Sequence, residues 1–185
     1  MARHWQLASL FLGADAPVPP RIVMPLGEAA QAQAAALLQA QGVPQRFVVI
    51  VPFATGHFSG HSKKWPHFAA LVQWLRGQGV AMVACPGPGE GDELEAEYPG
   101  VVALRDVRLD AYLAVLARAA LVIANDTGPG HMAAAVGAPL VSLLGPSEPQ
   151  VHAPWGPNVH ALHAPAWVSL AHVQQEVRQL LGLVR

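Results

Sequence analysis

The sequence predicts an α/β fold with a parallel sheet. Three observations carry this. First, short β-branched apolar runs recur along the chain, such as RFVVIVP at 46–52 and LVIAN at 121–125. Runs that are apolar throughout mark strands covered on both faces. Second, segments with helical spacing alternate with those runs, the rhythm of right-handed βαβ crossovers. Third, glycine- and proline-rich loops follow the strands, and in such sheets ligands bind at the carboxyl ends of the strands.

The elements follow in order. Residues 1–26 read as a lead-in, with GADAPVPPR as a proline-stiffened linker. EAAQAQAAALLQAQG (28–42) is rich in helix formers and stops at Gly42. The first strand is 46–52. WPHFAALVQWLRGQG (65–79) is a helix with Pro66 in its first turn, where a missing N–H costs nothing. Phe68, Leu71, Val72 and Leu75 form its apolar stripe. Strands are expected at 80–85, 101–104 and 139–144, besides 121–125. Helices are expected at 92–98, 109–119, 130–136 and 169–181. The division is a lead-in over 1–44 with one helix, then a single domain over 45–185.

Composition sets bounds. The 185 residues are 52% hydrophobic and 12% charged, with a net charge of −1, which is globular and not disordered. The balanced charge lacks the basic excess of a nucleic-acid binder. Cys85 is the single cysteine, so an internal disulfide is excluded and a reducing, cytoplasmic compartment is the simplest expectation. The stretch WQLASLFLG, with Ala14-Asp15-Ala16 after it, imitates an export signal but is short and interrupted by Gln6 and Ser9. The uncharged run from Thr127 to Ser147 is broken by Gly128, Pro129, Gly130, Gly137, Pro139, Gly145 and Pro146, so no transmembrane segment is expected.

Three loops could carry chemistry. FATGHFSGHSKK (53–64) holds hydroxyls on Thr55, Ser59 and Ser62 and the only lysines, Lys63 and Lys64, just before a helix. Backbone amides, a helix N-terminus and a lysine suit a phosphate. It is not a Walker A loop, since His61 follows Gly60. PGPGEGDE (86–93) nearly spells a dinucleotide fingerprint but has Asp92 where the third glycine belongs, and its Glu90 could accept bonds from a ribose. NDTGPGHMAAA (125–135) puts Asp126, Thr127, Gly128 and His131 at a helix start, where the dipole favours an anion. Asp126 could equally be an N-cap. His57, His61, His67, His152, His160, His163 and His172 show no metal-ligand spacing, and no G-x-S-x-G elbow exists.

Thr55 with SKKWP, then GPGE, then NDTGPGHMAAAVGAPLVSLLGPSEP together resemble the C-terminal domain of bacterial heptosyltransferases. These are the ADP-heptose:lipopolysaccharide glycosyltransferases of GT-B architecture. The resemblance covers about 45–160 as an ordered set of motifs, the sharpest being D-[ST]-G-x-x-H followed by G-P-[ST]-x-P. It implies a Rossmann-like three-layer domain that binds an ADP-heptose-like nucleotide sugar. It gives Lys63 the phosphates and the stabilisation of the leaving group, with Lys64 solvated. Thr55 would lie near the phosphates, Glu90 would hold the ribose, and Val107 would meet adenine through its backbone. Asp126, Thr127, Gly128 and His131 would hold the diphosphate and sugar.

The family's N-terminal domain binds the lipid A–core acceptor and supplies the general base. The resemblance leaves room here only for the linker, including Leu12-Gly13, and the C-terminal domain. The expected function is thus the donor-binding half of an inverting, metal-independent glycosyltransferase of lipopolysaccharide core synthesis. No cofactor or metal is expected, and the full enzyme would be cytoplasmic or peripheral at the inner membrane. A non-catalytic nucleotide-sugar-binding module would use the same motifs. A nicotinamide-dependent oxidoreductase is disfavoured by the missing G-x-G-x-x-G.

Overall fold

The computed structural model of the chain describes residues 2–13, 17–58, 60–145 and 147–183, with the side chains of 2–4, 57, 58 and 61 excluded. Ala14-Asp15-Ala16, Ser59 and Pro146 lie outside the described residues. The element order is α1 (Ala2–Leu12), α2 (Glu28–Ala40), β1 (Val48–Val51), β2 (His57–Phe58), β3 (His61–Ser62), α3 (Phe68–Gly77) and β4 (Met82–Ala84). It continues with α4 (Gly91–Glu97), β5 (Val101–Ala103), α5 (Leu109–Arg118), β6 (Leu121–Asn125), α6 (Gly128–Ala135), β7 (Leu140–Leu144), α7 (Pro149–His152), β8 (Val159–His163) and α8 (Leu170–Leu181).

Six strands form one sheet in the order β5-β4-β1-β6-β7-β8. Every pairing in it is parallel. The chain starts at the centre, winds out to β5, then returns to β6 on the other side of β1. This is the doubly wound arrangement, and its topological switch point lies between β1 and β6.

The strands alternate their side chains between two apolar layers. Val48 and Ile50 of β1 join Leu71, Leu75, Val173 and Val177 of α3 and α8 on one face. Val49 and Val51 join Ala34, Leu38, Val115 and Ala133 of α2, α5 and α6 on the other. The period-2 alternation of a strand thus fills both sides of a three-layer sandwich. The core draws Ala30, Ala34 and Leu38 from before residue 45, so α2 packs as part of this body.

Several features differ from the sequence reading, the short helix α7 among them. Residues 2–12 are helical, where a lead-in with a single later helix was expected. A sixth strand, β8, extends the sheet along β7. Inside the 53–64 loop, β2 and β3 form a small antiparallel hairpin. Finally, α3 begins at Phe68, so Pro66 precedes the helix instead of sitting in its first turn. Trp65 explains that start. Its indole is buried and donates to the Val168 carbonyl at 2.9 Å, which holds the entry segment outside the helical path.

Candidate functional site

A cavity of about 460 Å³ opens at the carboxyl ends of β1, β4 and β6, the switch point of the sheet. Its walls come from Ile50 to Thr55 at and beyond the end of β1, Ala84 to Pro88 with Glu90 at and beyond the end of β4, and Thr127 to Pro129 at the start of α6. Asp106, Val107, Leu109 and Tyr112 close the side beyond β5.

Five of the eight residues singled out in the sequence line this cavity: Thr55, Glu90, Val107, Thr127 and Gly128. The other three form a polar cluster joined to it through Asp126, the neighbour of Thr127. Lys63 Nζ lies 2.7 Å from Asp126 Oδ2. The Ser147 hydroxyl donates to the same carboxylate oxygen at 2.5 Å. His131 keeps a face to solvent, yet enough protein surrounds the ring that desolvation lowers its pKa. Asp126 pulls it upward, while Lys63 and His152 push it down.

Local chemistry explains each placement. Asp126 is not the helix cap. Thr127 is the N-cap of α6 and makes no capping bond through its side chain. Its hydroxyl donates instead to the Asn125 carbonyl at 3.2 Å. The positive end of α6 therefore meets the cavity with a carboxylate–lysine pair beside it. An anion there gains from the dipole and from the ammonium.

Glu90 ends the glycine-rich loop and is the N-cap of α4. One of its carboxylate oxygens accepts from the Gly87 amide at 2.8 Å. A Cβ on Gly87 would lie 3.1 Å from that oxygen, so the absent side chain lets the carboxylate fold back over the loop. Asp106 stands at φ 54°, the left-handed region that Asp tolerates better than most residues, and this turn presents Val107 to the cavity.

Lys64 separates from Lys63. It pairs with Glu97 at 2.9 Å and Glu93 at 3.5 Å on α4, with its ammonium 5.4 Å from the Phe53 ring centre. It is thus held by α4 and not simply solvated. Burial lowers its pKa, but the Glu97 and Glu93 carboxylates outweigh that and hold it raised.

Sequence reasoning missed several contributors. Phe53, Leu109 and Tyr112 supply apolar wall. Burial raises the Tyr112 phenol, with Cys85 and Glu90 adding to the effect. Cys85 also lines the cavity, and burial pushes its thiol up to about 12. Asn125 and Ser147 are fully buried polar residues, Ser147 bonded to Asp126 and Asn125 bonded to Pro52 and the Trp65 amide. Both stand inside the quoted NDTGPGH…GPSEP stretch, but neither was read as a site residue.

This geometry stands beside a decisive likeness. The profile of glycosyltransferase family 9 (heptosyltransferase) matches residues 1–180. The chain belongs to that family. Lipooligosaccharide heptosyltransferase 2 of Haemophilus influenzae is 34% identical over 117 residues, covering 57% of this chain and 34% of that protein. Lipopolysaccharide heptosyltransferase 3 of Escherichia coli is 34% identical over 128 residues, covering 64% of this chain and 36% of its own length. Among solved structures, E. coli ADP-heptose lps heptosyltransferase II shares the fold with a TM-score of 0.70 and 23% identity, over 90% of this chain and 56% of that one. E. coli heptosyltransferase WaaC with ADP gives 0.68 and 23% over 95% of this chain and 54% of that one. The heptosyltransferase-family chain thus spans about a third of those curated relatives and about half of those solved chains. No helix among its described residues is long and apolar enough to cross a membrane.

Proposed function

We propose that this chain is the donor-binding half of an inverting, metal-independent glycosyltransferase of lipopolysaccharide core synthesis. Its donor is an ADP-heptose-like nucleotide sugar. The observation that carries this reading is the adjacency of two unlike regions at the switch point. A cavity with both apolar and polar walls, bounded by Glu90 and Val107, suits a nucleoside. The N-terminus of α6, with Lys63 and Asp126 beside it, suits a diphosphate and sugar. The solved relatives with ADP and with ADP-2-deoxy-2-fluoro heptose support the choice of nucleotide.

In the proposed reaction an acceptor hydroxyl attacks the anomeric carbon. The bond from that carbon to the diphosphate oxygen breaks, and ADP leaves with its electron pair. Lys63 and the leading end of α6 neutralise the charge that grows on the departing phosphate, where preorganised donors act most strongly. Asp126 holds the Lys63 ammonium before the donor arrives. The general base and the lipid A–core acceptor belong to the other half of the proposed enzyme, working at a cytoplasmic membrane face.

Calorimetry with ADP tests the reading. Wild-type chain is expected to bind ADP, and Lys63→Ala to weaken that binding about tenfold or more, the loss of a charge-assisted contact. Equal affinities in the two proteins would sink the role of Lys63. No heat with either ADP or ADP-heptose would sink the donor site itself.

A further inference from the structure

We propose that Asn125 is a positioning residue: its buried amide staples both ends of the 53–64 loop and thereby sets the aim of Lys63. The loop leaves the sheet at Pro52 and returns to the core at Trp65. Asn125 Nδ2 donates to the Pro52 carbonyl at 2.6 Å. Asn125 Oδ1 accepts from the Trp65 amide at 3.0 Å. One fully buried side chain at the end of β6 therefore closes a loop that runs from the residue after β1 to the segment that enters α3.

The residue type follows from the task. The site needs a donor and an acceptor on one short, rigid side chain, and the carboxamide supplies both. Aspartate keeps the acceptor but turns a lone pair toward the Pro52 carbonyl. Leucine matches the volume and supplies neither. The remaining fully or nearly fully buried polar residues among those described are Asp126, Ser142 and Ser147. Asp126 and Ser147 bond each other, so they are not spare partners for Pro52 and Trp65.

The consequence reaches Lys63 because it stands two residues before Trp65, within about 7 Å along the chain. The Trp65 ring is tied separately, its indole donating to the Val168 carbonyl, so the bond to Asn125 is the one that holds its main chain. Farther back in the loop, the Lys63 amide donates to Gly56 at 3.3 Å, and the lysine stem runs 3.5 Å from where a Gly56 Cβ would stand. The counter-charge for Lys63 is Asp126, the residue after Asn125. Two consecutive residues at one strand end thus fix the loop that carries the cation and the anion that receives it.

This inference rests on the donor-site reading above for its ligand, and the experiment separates the two. Asn125→Leu and Asn125→Asp are compared with wild type by amide hydrogen exchange without ligand, and by calorimetry with ADP and with adenosine. The Trp65 amide is expected to be protected in wild type, to exchange at least tenfold faster in Asn125→Leu, and to stay largely protected in Asn125→Asp. ADP affinity is expected to fall about tenfold in both variants while adenosine affinity changes less than twofold, and no further loss is expected in a Lys63→Ala background. Unchanged Trp65 exchange in Asn125→Leu overturns the staple. Equal losses for ADP and adenosine overturn the aiming of Lys63 and leave a merely structural residue. Should Asn125→Leu fail to fold, the ADP-to-adenosine comparison in Asn125→Asp decides alone. If wild type binds neither ligand, the donor-site reading fails, while the exchange result still decides the staple.

Discussion

Lys63 Nζ and Asp126 Oδ2 meet at 2.7 Å across residues that are 63 positions apart in the chain. The lysine side chain is 19% exposed and the aspartate side chain 5%. The pair therefore joins a group near water to one that is almost sealed from it. Removing its two members should have unequal effects.

Lys63→Ala strands the buried Asp126 carboxylate with Ser147 as its remaining bonded partner. That should cost about 1–3 kcal/mol, below the range for fully buried pairs because Lys63 keeps some contact with water. The melting temperature would fall by about 2–12 °C. Asp126→Asn should cost less, since the ammonium can reach solvent. The double variant Lys63→Ala/Asp126→Asn should be more stable than Lys63→Ala alone yet bind ADP no better. Thermal melts and calorimetry on the four proteins complete the cycle, and additive losses of stability would contradict the pairing.

His131 gives a pH signature. Burial holds the folded imidazole below its ordinary 6.5, with Asp126 opposing and Lys63 and His152 assisting. For a base with a depressed folded pKa, the unfolded chain takes up the proton first as pH falls. Stability is unaffected well above 6.5 and declines as pH drops through that value toward the folded pKa. The same penalty is absent in His131→Gln. The difference in melting temperature between variant and wild type should hold constant from pH 7.5 to 8.5 and move in favour of the variant by pH 5.5. A parallel pair of curves across the range would rule this out.

Cys85 should be chemically quiet although it lines the cavity. With its thiol pushed up to about 12, only about one molecule in 10⁴ carries the thiolate at pH 8. Modification by a disulfide reagent should run at least about a hundredfold slower in the native chain than in urea, where the thiol regains a pKa near 8.5. Rapid native labelling would show that burial does not govern this group.

The parts of the fold legible in the sequence were those where one residue pattern meets one environment. The runs of β1, β4, β6 and β7 are buried on both faces and read as apolar stretches, interrupted only by Asn125 at the end of β6 and Ser142 within β7. β8 escaped because VHALH is an edge strand with half-exposed and exposed positions, so nothing forces an apolar run. The hairpin of β2 and β3 is too short to show any period. Thr55, Glu90, Thr127 and Gly128, named from their loops, line the cavity, as does Val107, which only the family resemblance pointed to. Asn125 and Ser147 were not, because their partners lie 60 and 21 positions away in the chain. A hydrogen bond of that kind exists only once the sheet has set its neighbours.

Gly145 at the end of β7 offers a test of that long-range packing. Its backbone does not require glycine through a positive φ. What it lacks is room: a Cβ there would fall 2.5 Å from Trp167 Cη2 and 2.6 Å from Cζ2. Trp167 packs against the core, and the next residue, Val168, accepts the Trp65 indole bond. Gly145→Ala should therefore push the ring and strain the anchor of the lysine loop, costing about 1–3 kcal/mol as overpacking does. Replacing the ring should relieve the conflict. In the pair Gly145→Ala and Trp167→Leu, the alanine should cost less than about 0.5 kcal/mol once Trp167 is gone, a coupling of the size seen between touching residues. Denaturant melts on the four proteins measure it. An alanine penalty that persists in the Trp167→Leu background would place its origin in the β7 backbone instead of the ring.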